Sequence, residues 1–158
     1  MAKSIPTYYW DANVFLAWLK NESRKNGEME GLAEVVWMVD RNQANILTSV
    51  ITKGEVLQSS LSVSARTSFI NIFKRPNIVA VDLTNQIAEL SGFIRDYYVT
   101  RSQKMSLGDA QHLATAIAYK VDEFHTFDED DLIPKSGNIA GHKLIICKPK
   151  GVQGILFI

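Results

Sequence analysis

Short runs rich in β-branched and aromatic residues alternate along this chain with longer segments in which apolar residues recur at helical spacing. This alternation is typical of βαβ units, which build a mostly parallel sheet with helices on its faces. We therefore expect an α/β protein with a mostly parallel central sheet flanked by helices. The predicted strands cover Ile5–Trp10, Asn45–Val50, Asn77–Leu83, Glu123–Thr126 and Lys143–Cys147.

Helical periodicity fills the segments between these strands. Thr84 and Ser106 each precede a helical pattern with a side-chain hydroxyl that can accept from the first turn, so both are predicted to be N-caps. The last segment, Gly151–Ile158, is expected to add a strand or a docking tail. The predicted helices cover Asn13–Lys20, Glu28–Asn42, Glu55–Ser59, Ala65–Phe73, the long segment after Thr84, and Leu107–Lys120.

Length and composition bound the class of protein. A chain of 158 residues is about the size of one typical domain, so residues 1–158 are expected to form a single domain. With 46% apolar and 22% charged residues, the composition is that of a soluble globular protein. The apolar runs fall short of the ~20 residues of a spanning helix, and the N-terminus shows no apolar signal core. The single cysteine, Cys147, favours a reducing compartment, so we expect a cytoplasmic protein without a membrane segment.

Four carboxylates follow predicted strands or lie at the start of a predicted helix. Asp11 follows the first strand, Glu55 follows the second, Asp109 opens a helix, and Asp128 follows the fourth strand. In an open α/β sheet, ligands bind at the carboxyl ends of the strands, where these acids would meet. Carboxylates that converge from separate elements repel one another unless a cation neutralises them. Such oxygen ligands suit Mg²⁺ or Mn²⁺.

Each of these acids also has a simpler interpretation. Asp11 is placed to cap the helix that follows it, and Asp109 is placed to interact with the positive end of a helix dipole. Glu55 alone would be an ordinary exposed helix residue, and Asp128 opens an acidic run that would normally be a solvated turn. Only the joint pattern favours a metal site.

Each of the four acids lies in a short motif, namely Tyr9–Leu16, Thr52–Leu57, Gly108–Ala116 and Phe124–Asp128. Together these motifs resemble the PIN-domain family, the VapC-like metal-dependent nuclease fold found in many prokaryotic ribonuclease toxins. The motifs occur in the order expected for that family and span nearly the whole chain. The resemblance implies a divalent-metal-dependent endoribonuclease, the toxin of a toxin–antitoxin pair, with RNA as substrate and an antitoxin protein as partner. A catalytically silent PIN-like binding or scaffold module is the alternative.

The resemblance also assigns roles to individual residues. It implies that the four acids are the catalytic residues and hold one or two divalent ions, which activate a water and stabilise the charge that develops on a phosphodiester. Asn13 matches the family's small polar residue two positions after the first acid, and Thr126 matches the hydroxyl two positions before the last acid. Within the acidic run, Asp130 is a further candidate for contact with the metal or its ligands.

Basic residues near the acids are candidates for substrate binding, although the formal net charge of zero gives no global basic field. Lys53 precedes Glu55, while Arg101 and Lys104 lead into the helix of Asp109, so all three are predicted to border the cleft. Solvated surface positions are the commoner explanation for such side chains. A homodimer through the helices Glu28–Asn42 or Ala65–Phe73 and a monomer are both compatible with the sequence.

Overall fold

The computed structural model describes residues 4–151, which form a five-stranded sheet flanked by helices. The strands are β1 (Thr7–Trp10), β2 (Asn45–Ser49), β3 (Ile78–Val81), β4 (Glu123–His125) and β5 (Ile146–Cys147). The α-helices within this range are α1 (Ala12–Lys20), α2 (Glu28–Asp40), α3 (Val50–Leu57), α4 (Val63–Ile72), α5 (Asn85–Val99) and α6 (Leu107–Ala118).

The sheet has the strand order β3-β2-β1-β4-β5, and every pairing between neighbouring strands is parallel. Strand β1 lies at the centre, with Tyr9 opposite Leu47 of β2 on one side and opposite Phe124 of β4 on the other. Because parallel strands end at the same edge, the segments that follow β1 and β4 emerge side by side. The predicted α/β fold with a mostly parallel central sheet is confirmed.

Buried apolar residues cover both faces of the sheet. Successive side chains of a strand point to opposite faces, and accordingly Trp10 belongs to one core cluster and Tyr9 to the other. The first cluster includes Phe15 of α1 and Phe69 of α4, while the second includes Leu113 of α6. Parallel strands covered by helices on both faces are buried along most of their length.

The predicted caps are confirmed, whereas one helix boundary is corrected. Thr84 accepts a hydrogen bond from the Ile87 N–H and Ser106 accepts one from the Asp109 N–H. Helix α3 begins at Val50, earlier than predicted, because the Ser49 side chain accepts from the Ile51 N–H and starts the helix directly after β2. The helix therefore includes β-branched residues that favour strands elsewhere.

The end of the chain is only partly described. The last strand is shorter than its predicted range of 143–147, since only Ile146 and Cys147 pair with β4. The tail predicted for Gly151–Ile158 lies outside the described residues except for Gly151 itself. No helix in the described range has the length and apolar character needed to cross a membrane.

Candidate metal centre

Asp11 is a buried acid at the junction of β1 and α1. It is the N-cap of α1, where its Oδ1 accepts from the Val14 N–H at 3.2 Å. Its Oδ2 accepts from the Thr126 hydroxyl at 2.6 Å, so both carboxylate oxygens have a donor. Its relative exposure is 6%. Burial, with a smaller contribution from the Asp109 charge, raises the pKa of Asp11 to about 6, although the two donors and His112 oppose the shift.

Asp109 lies in the first turn of α6, where the Ser106 side chain caps the helix. Burial raises its pKa, and the negative charges of Asp128 and Glu55 act in the same direction. The structure thus brings Asp11, Glu55, Asp109 and Asp128 close enough for Asp109 to interact electrostatically with each of the other three.

Asp128 follows β4 in a loop that its own carboxylate stabilises. Its Oδ1 accepts from the backbone N–H groups of Asp130 and Asp131, at 3.2 and 2.8 Å. The Asp128 N–H in turn donates to the Thr126 hydroxyl at 3.2 Å, so Thr126 links the loop to Asp11. Asp130 therefore contacts Asp128 through its backbone, and its own side chain is exposed.

Glu55 projects from α3 and is held by a hydrogen-bonded chain. The distance from its Oε1 to His112 Nε2 is 2.6 Å, and the distance from His112 Nδ1 to the Tyr9 hydroxyl is also 2.6 Å. The His112 ring is almost fully buried, while the Glu55 side chain is 40% exposed. Neither the role of Tyr9 nor the hydrogen bond from His112 to Glu55 was predicted from the sequence. The sequence feature that pointed to His112 was its position one helical turn after Asp109.

The donor set of the four acids fits a hard divalent cation. All four offer carboxylate oxygens, the ligands that Mg²⁺ and Mn²⁺ prefer. Within residues 4–151, no lysine or arginine forms an ion pair with any of them, and Glu55 is hydrogen-bonded to His112. The partly buried negative charge of these acids therefore has no lysine or arginine in direct contact within the described residues, and a divalent cation would neutralise it.

The three predicted substrate-binding residues differ in position. Lys104 pairs with Asp131 at 3.0 Å, and its pKa is raised mainly by that partner and further by Asp128 and Asp109, so it borders the acids. Arg101 stacks its guanidinium on the Tyr97 ring, 3.6 Å from the centroid.

The Lys53 ammonium lies 4.7 Å from the centre of the Phe73 ring. Residues two apart on a helix are separated by about 200°, so Lys53 points away from the side of α3 that carries Glu55. Asn13 is exposed in the first turn of α1. Of the three predicted substrate-binding residues, Lys104 is the one with an electrostatic link to the acids, through Asp131, Asp128 and Asp109, and the roles of all three stay predictions.

A second cluster lies between β4 and β5. Glu123, His125 and Cys147 each place one ligand atom within 4.8 Å of the other two. Among the described residues, no three of the four acids come as close to one another. The Trp10 indole N–H donates to His125 Nδ1 at 3.2 Å, so the ring proton is on Nε2, which donates to Glu123 at 2.8 Å.

A histidine that binds metal usually donates its other ring N–H to an acceptor, and Trp10 is a donor. Lys150 adds a positive charge close to the cluster, which lowers the pKa of His125 further after the larger effect of burial. Burial raises the pKa of the Cys147 thiol to about 12, which keeps it protonated. These three residues therefore form a hydrogen-bonded network.

A parallel α/β sheet with acids near the carboxyl ends of its central strands places carboxylate ligands where open α/β sheets bind their ligands. The PIN domain family model matches residues 8–135, and the chain belongs to this family. PIN domains form a nuclease family whose members typically bind divalent metals. No curated protein matches the sequence.

Solved structures with the same fold belong to toxin–antitoxin systems. VapBC2 from Rickettsia felis, bound to a DNA fragment from their promoter, shares 15% identity, with a TM-score of 0.64 over 90% of this chain and 98% of that one. A toxin–antitoxin complex from Klebsiella pneumoniae shares 18%, with a TM-score of 0.62 over 92% and 99%. VapC20 from Mycobacterium tuberculosis, a toxin that cleaves the sarcin–ricin loop, shares 15%, with a TM-score of 0.58 over 78% and 91%. At these identities the likeness establishes the fold.

Proposed function

We propose that residues 1–158 form one domain that acts as a Mg²⁺- or Mn²⁺-dependent endoribonuclease, the toxin of a toxin–antitoxin pair in the cytoplasm. One observation carries the proposal. The buried carboxylate of Asp11 is oriented by Thr126 beside Asp109, and no lysine or arginine within residues 4–151 is paired with either acid. A protein without need of a cation would gain stability by replacing such a group.

The four acids would hold the ion, each oriented by a different part of the chain. A bound Mg²⁺ or Mn²⁺ supplies an activated water and stabilises negative charge on the phosphodiester. Thr126 fixes the orientation of Asp11, and the N–H groups of the loop after β4 fix that of Asp128. Lys104, exposed beside the acids, contributes positive charge that attracts phosphate groups toward the site.

The proposed partner is an antitoxin protein that covers the acids. Structures with this fold include complexes of toxins with antitoxins. An arginine from such a partner would pair with the unneutralised carboxylates in charge-assisted hydrogen bonds and compete with the metal. The absence of an internal basic partner for Asp11 and Asp109 in the described chain makes the site suited to this form of inhibition.

The test is cleavage of RNA by the purified protein with Mn²⁺, compared between the wild type and Asp11→Asn. We expect cleavage to require metal and to fall by at least about 100-fold in Asp11→Asn, since removal of a metal ligand disables both activation of water and charge stabilisation. The matched control is Asp96→Asn, which changes an exposed acid of α5 and is expected to keep full activity. Cleavage that survives both EDTA and Asp11→Asn contradicts the proposal. Metal binding without any cleavage would instead support the scaffold alternative.

A further inference from the structure

A chain of short hydrogen bonds joins three elements of the fold behind the acids. The Tyr9 hydroxyl from β1 contacts His112 on α6, and His112 contacts Glu55 on α3, each over 2.6 Å. We infer that Tyr9 and His112 are positioning residues that hold the Glu55 carboxylate in place for metal binding. This inference rests on the proposed function, because it assigns a role within the same site.

The arrangement of protons along this chain is self-consistent. A carboxylate can only accept, so the hydrogen bond to Glu55 requires the proton on His112 Nε2. In a neutral imidazole His112 Nδ1 is then the acceptor, and the Tyr9 hydroxyl donates to it. Both ring nitrogens are engaged, so the imidazole is held in one orientation.

The surroundings of His112 show that its polarity serves a purpose other than packing. The ring is 3% exposed, and its neighbours on α6 include the fully buried Leu113 and Ala116. A polar group buried among apolar ones destabilises the fold unless its hydrogen bonds compensate. An aliphatic residue would fill the same layer without that cost. The hydrogen bond to a partly exposed glutamate is the feature that only the histidine provides.

The chain also directs Glu55 toward the other acids. His112 and Asp109 are three residues apart and therefore lie on the same face of α6. Glu55, bound to His112, is consequently close enough to Asp109 to raise its pKa. A glutamate on an exposed helix surface normally samples several rotamers, and the bond to His112 restricts it to the side that faces the acids. Hydrogen-bonded support of this kind is general for carboxylates that bind metals.

The experiment measures Mn²⁺ affinity by calorimetry in Tyr9→Phe. This variant keeps the stacking of the ring on Phe124, 4.9 Å between centroids, and removes only the hydroxyl. We expect Mn²⁺ affinity to fall by about 10-fold, as is typical when a group that supports a ligand is lost. The matched control is Tyr98→Phe, which removes the hydroxyl of another buried tyrosine whose contact is with the Asn138 carbonyl, and it is expected to leave the affinity unchanged.

A double-mutant cycle with Glu55→Ala separates positioning from a general loss of structure. If Tyr9 acts through Glu55, the double variant should bind Mn²⁺ with the same affinity as Glu55→Ala alone. If the two residues act independently, the losses of affinity in the two single variants should add in the double variant. Additive losses, or an unchanged affinity in Tyr9→Phe, overturn the inference and leave the proposed function standing. A wild-type protein that binds no Mn²⁺ overturns both. If Tyr9→Phe does not fold, His112→Gln takes its place in the cycle with the same expectation.

Discussion

Asp11 shows how one residue combines a structural role with a destabilising charge. It caps α1 and accepts from Thr126, yet burial raises its pKa to about 6. In the absence of metal, Asp11→Asn should therefore increase the free energy of unfolding at pH 7 by up to about 3 kcal/mol, because asparagine keeps the cap without the charge. Urea denaturation in EDTA measures this difference. A variant less stable than the wild type would show that the charge is already compensated in the folded protein.

The same residue predicts a pH dependence of stability. The pKa of Asp11 in the folded state, about 6, lies above the value near 4 of an unfolded chain. The folded state therefore binds the proton more tightly, and stability from this group is present below about pH 4 and is lost as the pH rises to about 6. The stability difference between Asp11→Asn and the wild type should grow across that interval in metal-free buffer. A difference that stays constant from pH 4 to 7 would contradict the raised pKa.

At the scale of elements, the end of β5 is held against α2 by a close backbone contact. A Cβ built at Gly31 would lie 2.3 Å from the Pro149 carbonyl oxygen, and the Gly151 N–H donates to Glu34 of the same helix. Lys148 adds ion pairs to Glu28 and Glu129. The segment from Lys148 to Gly151 is thus packed on α2 only because residue 31 has no side chain.

Gly31→Ala should therefore destabilise the protein by about 1–3 kcal/mol, the usual effect of overpacking. The matched control is Gly92→Ala in α5, where a Cβ would meet nothing within 4 Å. That control should stabilise the protein by up to about 1 kcal/mol, because alanine is the better helix former. Urea unfolding of both variants is the measurement, and equal effects would mean that the segment does not pack on α2 as described.

Another prediction concerns Lys104, the basic residue in the loop just before α6. Lys104→Ala should weaken RNA binding and reduce the logarithmic salt slope by about 0.7, the value for one phosphate contact on a single strand. Lys53→Ala and Arg101→Ala should change the slope less, since their charged groups lie on Phe73 and Tyr97. Fluorescence anisotropy at several salt concentrations distinguishes the three. If Lys53→Ala reduces the slope as much as Lys104→Ala, the RNA path extends along α3.

The sequence predicted the elements that local patterns determine. Thr84 and Ser106 precede clear helical periodicity, so their caps followed from residue type alone. The start of α3 was wrong because Val50 and Ile51 favour strands, and the Ser49 cap outweighed that preference. The link from Tyr9 to His112 was beyond prediction, because it depends on how residues 103 positions apart meet across the sheet.

At the scale of the whole molecule, the four acids predict that metal stabilises the fold. A cation that binds only the folded state stabilises it by mass action, by about 2.7 kcal/mol at a concentration 100 times the dissociation constant. Differential scanning fluorimetry should show the melting temperature of the wild type rising with Mn²⁺, and Asp11→Asn should show little rise. A melting temperature that millimolar Mn²⁺ leaves unchanged would exclude a shared metal site.

The molecular surface also bears on the predicted homodimer. Exposed apolar side chains occur on α4, where Val63 is 83% and Ile70 53% exposed, and on α5, where Phe93 is 73% exposed. In α2, by contrast, Leu32, Met38 and related residues are buried in the core. Of the two helices considered from sequence, α4 carries the more exposed apolar side chain, Ile70, and a homodimer and a monomer both stay open.

The order of the strands has a consequence for how such a protein is synthesised. Strand β4 pairs with the central strand β1 across more than 100 residues, and the Thr126 that orients Asp11 follows β4 directly. A nascent chain that has not yet exposed β4 beyond the ribosome exit tunnel holds Asp11 without Thr126 or Asp128. We therefore expect a growing chain to lack a complete site of the proposed kind until β4 and the loop after it have left the tunnel.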